Sequence, residues 1–176
     1  MADRAGSVLR STDGGASFLP SGLANTPVAF LAIDPVHSNV FYAATSNNPY
    51  PLDVYPPGLE GMYKSTDSGA NWSPINQGLD EIVAAHTTVN ALLVDGDVLY
   101  LATSGHGVFK SADGGATWAS FNDGLAFLDV RSLALVRRRS AAHRASRLGA
   151  LSPDILYAAT PGGISRFSRK VYGSLP

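Results

Sequence analysis

Two groups of side chains in this 176-residue chain have the types and spacing to do chemistry. The first is acidic and aromatic: Tyr50, Asp53, Tyr55 and Glu60 in one proline-rich stretch, the neighbours Asp80 and Glu81, then His106, Asp123 and Asp129. Glycosidic hydrolysis needs two carboxyl groups roughly 5 to 9.5 Å apart, one as acid and one as nucleophile or base. These acids could supply such a pair, yet none lies in a recognisable catalytic motif, so no catalytic residue is assigned. The flat faces of Tyr50 and Tyr55 suit a sugar or a partner side chain. Tyr50, Asp53, Tyr55, Glu60, Asp80, Glu81 and His106 are therefore the candidate binding residues, with a proline-stiffened surface loop bearing solvated charges as the plain alternative.

The second group is basic. Residues 137–150 hold Arg137, Arg138, Arg139, Arg144 and Arg147 without one acid. Such a segment could contact an anionic lipid head, nucleic acid or an acidic protein patch, or it could be a solvated loop whose charges repel one another. No aromatics interleave for base stacking, and a formal net charge of −1 argues no global attraction to phosphate; no nucleic-acid partner is expected. His37, His86, His106 and His143 lack metal-ligand spacing. The chain has no cysteine, which excludes disulfides and thiolate sites. No metal or cofactor is expected.

These groups hang on a repeat. Ser11-Thr-Asp-Gly-Gly-Ala-Ser-Phe18, Ser65-Thr-Asp-Ser-Gly-Ala-Asn-Trp72 and Ser111-Ala-Asp-Gly-Gly-Ala-Thr-Trp118 are one motif, S-x-D-x-G-x-x-(W/F). Asp13 to Asp67 is a step of 54 residues and Asp67 to Asp113 one of 46, which brackets a four-stranded propeller blade. Ser and Asp side chains close tight turns on nearby backbone, and Gly reaches a positive φ cheaply. Ser11, Asp13, Gly15, Phe18, Ser65, Asp67, Gly69, Trp72, Ser111, Asp113, Gly115 and Trp118 are read as scaffold, the aromatics packing between neighbouring sheets.

The flanks repeat as well. Strand-like segments precede each motif (7–10, 61–64, 107–110) and Gly-Leu follows it (22–23, 78–79, 124–125). The runs 28–34, 89–95 and 130–136 align with one another, and 40–45, 98–103 and 155–160 follow them. Rich in Val, Ile, Leu, Tyr and Thr and bounded by Gly, Pro, Asn and Asp, they read as strands and turns. No long stretch has a helical apolar period, so the fold class is all β.

The repeat, with G-V-F-K before it and L-Y-A-A-T between copies, resembles the Asp-box (BNR) repeat of β-propellers. That family includes sialidases, xyloglucan-cleaving glycoside hydrolases, the sortilin ectodomain and a photosystem II assembly factor. The resemblance implies blades of four antiparallel strands, A to D from the centre outward, with the motif in the turn from C to D. On this chain it implies a partial blade at 6–23, blades at 28–75 and 89–121, and a partial blade at 130–168 with the basic insertion at 137–150. At 169–173 Arg-Lys-Val-Tyr-Gly replaces the motif. B-to-C and D-to-A connections would share one rim, gathering residues 46–57, 77–81, His86, His106, Asp123 and Asp129. The Arg segment would project from the other.

About three blades fall short of the four to eight of closed propellers, and open sheet edges are normally covered. Either a second copy or a larger protein is expected to complete the arc. The function expected is a non-catalytic scaffold binding a protein or glycan through its loop rim; the alternative is part of a glycoside hydrolase, sialidase-like or β-glucan-cleaving. Sialidase arginines and the tyrosine–glutamate nucleophile pair have no matching motif here. Met1–Gly6 has no apolar signal-peptide core, and no apolar run is long enough for a transmembrane span. The compartment stays open, an extracytoplasmic site being compatible with a removed signal.

Overall fold

Short runs of β-branched, aromatic and small apolar residues, each stopped by a Gly, Asn or Asp turn, build thirteen strands among the described residues. The structure is a computed structural model that describes residues 8–24, 26–45, 61–136 and 155–168. Strands β1 (Leu9–Arg10) and β2 (Leu19–Pro20) form a hairpin. A four-stranded antiparallel sheet follows, β3 (Val28–Ile33), β4 (Phe41–Thr45), β5 (Met62–Ser65) and β6 (Ser73–Pro74), in chain order from one edge to the other. The next sheet repeats it with β7 (Val89–Asp95), β8 (Val98–Thr103), β9 (Gly107–Ser111) and β10 (Ala119–Ser120). The last has three strands, β11 (Ser132–Val136), β12 (Ile155–Thr160) and β13 (Gly163–Ser168).

Register decides what each face carries, because directly opposed residues point the same way. Leu92, Leu101 and Phe109 align across β7, β8 and β9 on one face, and Ala91, Ala102 and Val108 on the other. The first face packs on Tyr42, Ala44 and Met62 of the preceding sheet. The second packs on Val130, Leu133 and Ala158. Strand β8 is thus covered on both sides, which is why V-L-Y-L-A-T carries no charged residue and Leu99, Leu101 and Ala102 are fully buried. The inner strands stack in succession, β7 touching both β3 and β11.

Coverage ends at the first and last sheets. The β1–β2 hairpin lies against the outer part of the second sheet, where the Ser21 hydroxyl donates to the Gly69 carbonyl at 2.9 Å. The inner strand β3 keeps Leu31 and Ile33 at 36% and 57% exposure. At the other end Ile164 on β13 is 76% exposed. These apolar faces lack the neighbour that every inner face has among the described residues.

One element departs from the all-β expectation. Asp80–Ala84 is a short helix, α1, in the connection from β6 to β7. Leu79 and Ile82 are buried in the core between the second and third sheets and pin it there. The apolar spacing is too short to register as a helical period in the sequence, so packing selects the turn.

Candidate functional site

The connections sort onto two rims. On one, Ser111 Oγ accepts from the Gly115 N–H at 2.8 Å and donates to Asp113 Oδ1 at 2.7 Å, while Asp113 Oδ1 accepts from the Thr117 N–H at 2.9 Å. The Thr117 hydroxyl donates to Asp113 Oδ2. Ser65, Asp67, Gly69 and Asn71 repeat the pattern at 2.9, 2.8 and 2.9 Å, as do Ser11, Asp13, Gly15 and Ser17 at 2.8, 2.7 and 3.0 Å. Both oxygens of each carboxylate are engaged within eight residues. The sequence reading identified Ser, Asp, Gly and the aromatic but missed the position before the aromatic, held by Ser17, Asn71 and Thr117. All three have hydrogen-bonding side chains, a signal that was present.

These bonds favour the ionised carboxylate. The Thr117 hydroxyl, with the Thr117 N–H and Ser111, holds Asp113 at about 2 against an ordinary 3.8. The Asn71 N–H, its side chain and Ser65 do the same to Asp67, also at about 2. Asp13 is lowered further, foremost by the Ser17 hydroxyl. The turns from first to second strand share this rim: the Gly114 N–H donates to the Asp97 carbonyl at 2.8 Å and the Ser68 N–H to Asn39 at 2.9 Å. Burial opposes the charge of Asp34, but the N–H groups of Val36 and His37 and the His37 ring outweigh it and lower its pKa. Burial first, then the charges of Asp34 and Asp97, pushes the Tyr42 hydroxyl up to about 12.

The two tryptophans bind the preceding sheet. Trp118 Nε1 donates to the Ile75 carbonyl at 2.9 Å, the Trp118 N–H donates to Gln77 at 2.9 Å, and only 5% of Trp118 is exposed. Trp72 Nε1 donates to Gly69 at 2.9 Å and to Ser21 at 3.3 Å and is half-buried. Phe18, in the first turn, is 44% exposed. Lys64 adds a clamp between sheets: its Nζ donates to the Gly114 carbonyl at 2.9 Å and lies 5.5 Å from the Tyr42 ring centre.

The second rim carries the described candidate binding residues, Asp80, Glu81 and His106. His106, between β8 and β9, shares a hydrogen bond of 3.0 Å through Nδ1 with the Thr87 hydroxyl, just after α1. The Ser104 N–H donates to the Thr88 carbonyl at 3.0 Å, and the Gly105 and Gly107 N–H groups donate to Leu128 at 3.1 and 2.8 Å. The turn at 104–106 is therefore tied to the fourth-to-first-strand connections on both sides. Asn90 joins in, its amide donating to Ser104 Oγ at 3.0 Å and to the Val130 carbonyl at 2.8 Å. Asp80 and Glu81 are exposed in the first turn of α1, where the helix end favours negative charge. Asp129 meets the Arg131 guanidinium at 3.5 Å, an exposed pair of small energetic weight.

Asn76 and Asn122 escaped the sequence reading. Each turns its Oδ1 onto an N–H at the start of the third strand of its own sheet, Met62 in β5 and Val108 in β9, both at 2.7 Å. The repeated signal is Asn-x-Gly-Leu, at 76–79 and 122–125, which extends the Gly-Leu pair by two residues. Tyr50, Asp53, Tyr55 and Glu60 lie outside the described residues, as do Arg137, Arg138, Arg139, Arg144 and Arg147. Among the described residues no group of three His, Asp or Glu side chains is placed to hold a metal, and no helix is long and apolar enough to cross a membrane.

No family model matches the chain, and no curated protein matches its sequence. Solved structures do share its fold. An ancestral GH74 enzyme superposes with a TM-score of 0.54 at 18% identity, over 93% of this chain and 23% of that one. The GH74 xyloglucanase from Xanthomonas campestris gives 0.50 at 18%, over 98% of this chain and 29% of that one. The chain is thus a β-propeller-type arrangement of antiparallel sheets, spanning about a quarter of the length of these relatives.

Proposed function

We propose that this chain is a segment of an Asp-box β-propeller that serves as a non-catalytic scaffold and offers the α1–His106 rim to a glycan. The observation that carries the reading is the division of labour between the rims. The repeated aspartates are occupied in their own turns, whereas Asp80, Glu81 and His106 stand on a rim cross-linked by Thr87, Asn90 and backbone hydrogen bonds. A held rim with acidic and amide groups suits sugar hydroxyls, which donate and accept alike. The fold shared with a GH74 xyloglucanase makes β-glucan oligosaccharides the first ligands to try.

The test is calorimetric titration with xyloglucan and other β-glucan oligosaccharides, beside sialosides and mannans. Binding that weakens about fivefold or more for Asp80→Ala, the loss of roughly one net hydrogen bond, supports the reading. Silence across all these glycans refutes it. A second reading, a portion of a glycoside hydrolase, is favoured by the GH74 neighbours. It requires xyloglucan or sialoside hydrolysis that disappears on amidating one of Asp53, Glu60, Asp80 or Asp123.

A further inference from the structure

Gly162 is the one described glycine whose backbone is not left-handed, so its missing side chain serves a close approach and not a turn conformation. What approaches is Phe127. A side chain at Gly162 would run into Cδ2, Cε2 and Cζ of that ring, so one edge of the ring rests on the backbone between β12 and β13. The support is itself closed by the Thr160 hydroxyl, which donates to the Gly163 carbonyl at 3.0 Å. Phe127 nevertheless keeps 50% of its surface exposed. A phenylalanine that serves packing alone is drawn inward, as Phe109 is at 6%.

The backbone beside the ring is fixed as well. The carbonyl of the next residue, Leu128, accepts from the Gly105 and Gly107 N–H groups at 3.1 and 2.8 Å, the Val130 N–H donates to Thr103 at 3.0 Å, and the Arg131 N–H donates to Ala159 at 2.9 Å. The connection from β10 to β11 is thereby bonded to the third sheet on one side and to the fourth on the other, and Phe127 continues the rim onward from the His106 turn. Hydrogen-bonding groups flank it in the chain. Asn122, whose amide donates to the His106 carbonyl at 3.1 Å, and the exposed Asp123 precede it. The exposed pair of Asp129 and Arg131 follows it.

We propose that Phe127 is the stacking platform of this rim and takes the C–H face of a pyranose ring in a β-linked glucan. The inference rests on the glycan reading above and adds to it the residue that meets the apolar face of the sugar, since Asp80, Glu81 and His106 offer hydrogen bonds. A pyranose carries hydroxyls around its edge and C–H bonds on its faces, so its site needs an aromatic surface beside polar groups, and an aromatic already held in place gives that surface at little cost in entropy. In a β-glucan every ring C–H is axial, which leaves both faces free of hydroxyls; a mannan has an axial hydroxyl on one. A protein partner fits less well. Phe127 and Leu128 are two exposed apolar side chains in a segment with Asp123, Asp129 and Arg131, short of the apolar centre that a stable protein interface buries.

The test titrates the unsubstituted chain, Phe127→Ala, Phe127→Tyr and Asp80→Ala calorimetrically with β-glucan and mannan oligosaccharides, after the urea midpoint of each has been compared. Phe127→Ala is expected to weaken β-glucan binding about tenfold or more, and Phe127→Tyr, which keeps the ring, to hold it within about twofold. Fluorine NMR on the chain labelled with para-fluorophenylalanine gives a readout that a merely structural role would not move: the Phe127 resonance, identified by its absence from Phe127→Tyr, should shift when β-glucan is added. Binding of β-glucan that Asp80→Ala weakens and Phe127→Ala leaves unchanged, with a stationary Phe127 resonance, overturns the platform and keeps the glycan reading. Binding that falls in Phe127→Ala, returns in Phe127→Tyr and ignores Asp80→Ala supports the platform and removes the acidic side of that reading. Silence toward β-glucans overturns the platform whatever other sugars bind, so the two proposals fail separately.

Discussion

Gly78 and Gly124 occupy the same place in successive sheets, yet the structure assigns them different sensitivities to one added methyl group. Both have a left-handed backbone, φ 88° and 84°, so alanine brings about 1 kcal/mol of strain at either. At Gly124 no described residue adds to that cost, since the new Cβ would meet no described atom within 4 Å. At Gly78 the Cβ would press on the carbonyl and N of Trp118, backbone that cannot swing aside because its N–H is bonded to Gln77 at 2.9 Å. Overpacking of this kind adds about 1 to 3 kcal/mol, giving about 2 to 4 kcal/mol for Gly78→Ala against about 1 for Gly124→Ala. Urea unfolding followed by tryptophan fluorescence reads the difference. With a slope of about 2 kcal/mol per molar, the Gly78→Ala midpoint should fall about 1 M below that of Gly124→Ala. Equal midpoints would mean that the Trp118 backbone yields freely, and the rigidity assigned to this junction would be wrong.

The remaining expectations concern the turns and their anchors. Ser111→Ala should cost about 1 to 3 kcal/mol because the Gly115 N–H it satisfies is buried, whereas Ser11→Ala, with water free to replace the hydroxyl, should cost under about 1; similar losses in urea titration would contradict the burial argument. Trp118→Ala should cost about 3 to 5 kcal/mol and Phe18→Ala much less, in line with 5% and 44% exposure, again by urea midpoint. On acidification the sign follows from the lowered aspartates. Asp67 and Asp113 titrate near 2 in the folded chain and near 3.8 when unfolded, so they stabilise above about pH 4, and that contribution is lost as pH falls toward 2. Asp113→Asn should flatten the drop in midpoint between pH 5 and pH 2; an unchanged profile would show that the turn bonds do not favour the ionised carboxylate.

The turns were legible because their chemistry is local. Ser111, Asp113 and Gly115 bond within eight residues, so the pattern that closes the turn is written in consecutive letters and recurs wherever the turn does. Ser17, Asn71 and Thr117 were equally local but were passed over, since three different residue types serve one role. Strand identity was legible for a related reason: β8, covered on both faces, can hold no charged residue, and Gly or Asp must stop it. Helix α1 was not, because five residues fall below any readable period and Leu79 and Ile82 become its anchor only once two sheets close over them.

The amino-acid sequence alone determined the all-β class, the repeated sheet and the turn that links its last two strands, since each depends on contacts between residues near in sequence or on the two-residue period of a strand. Only the tertiary structure decided which repeats are satisfied. Among the described residues the same Asp-Gly-Gly-Ala is docked at 113–116 and meets no neighbour at its glycines at 13–16, and the same Gly is packed at 78 and without a contact at 124. Thr87 meets His106, and Lys64 meets Gly114, from positions far apart along the chain. Whether a face finds a neighbour is a property of stacking between sheets, and identical local sequences carry no information about it.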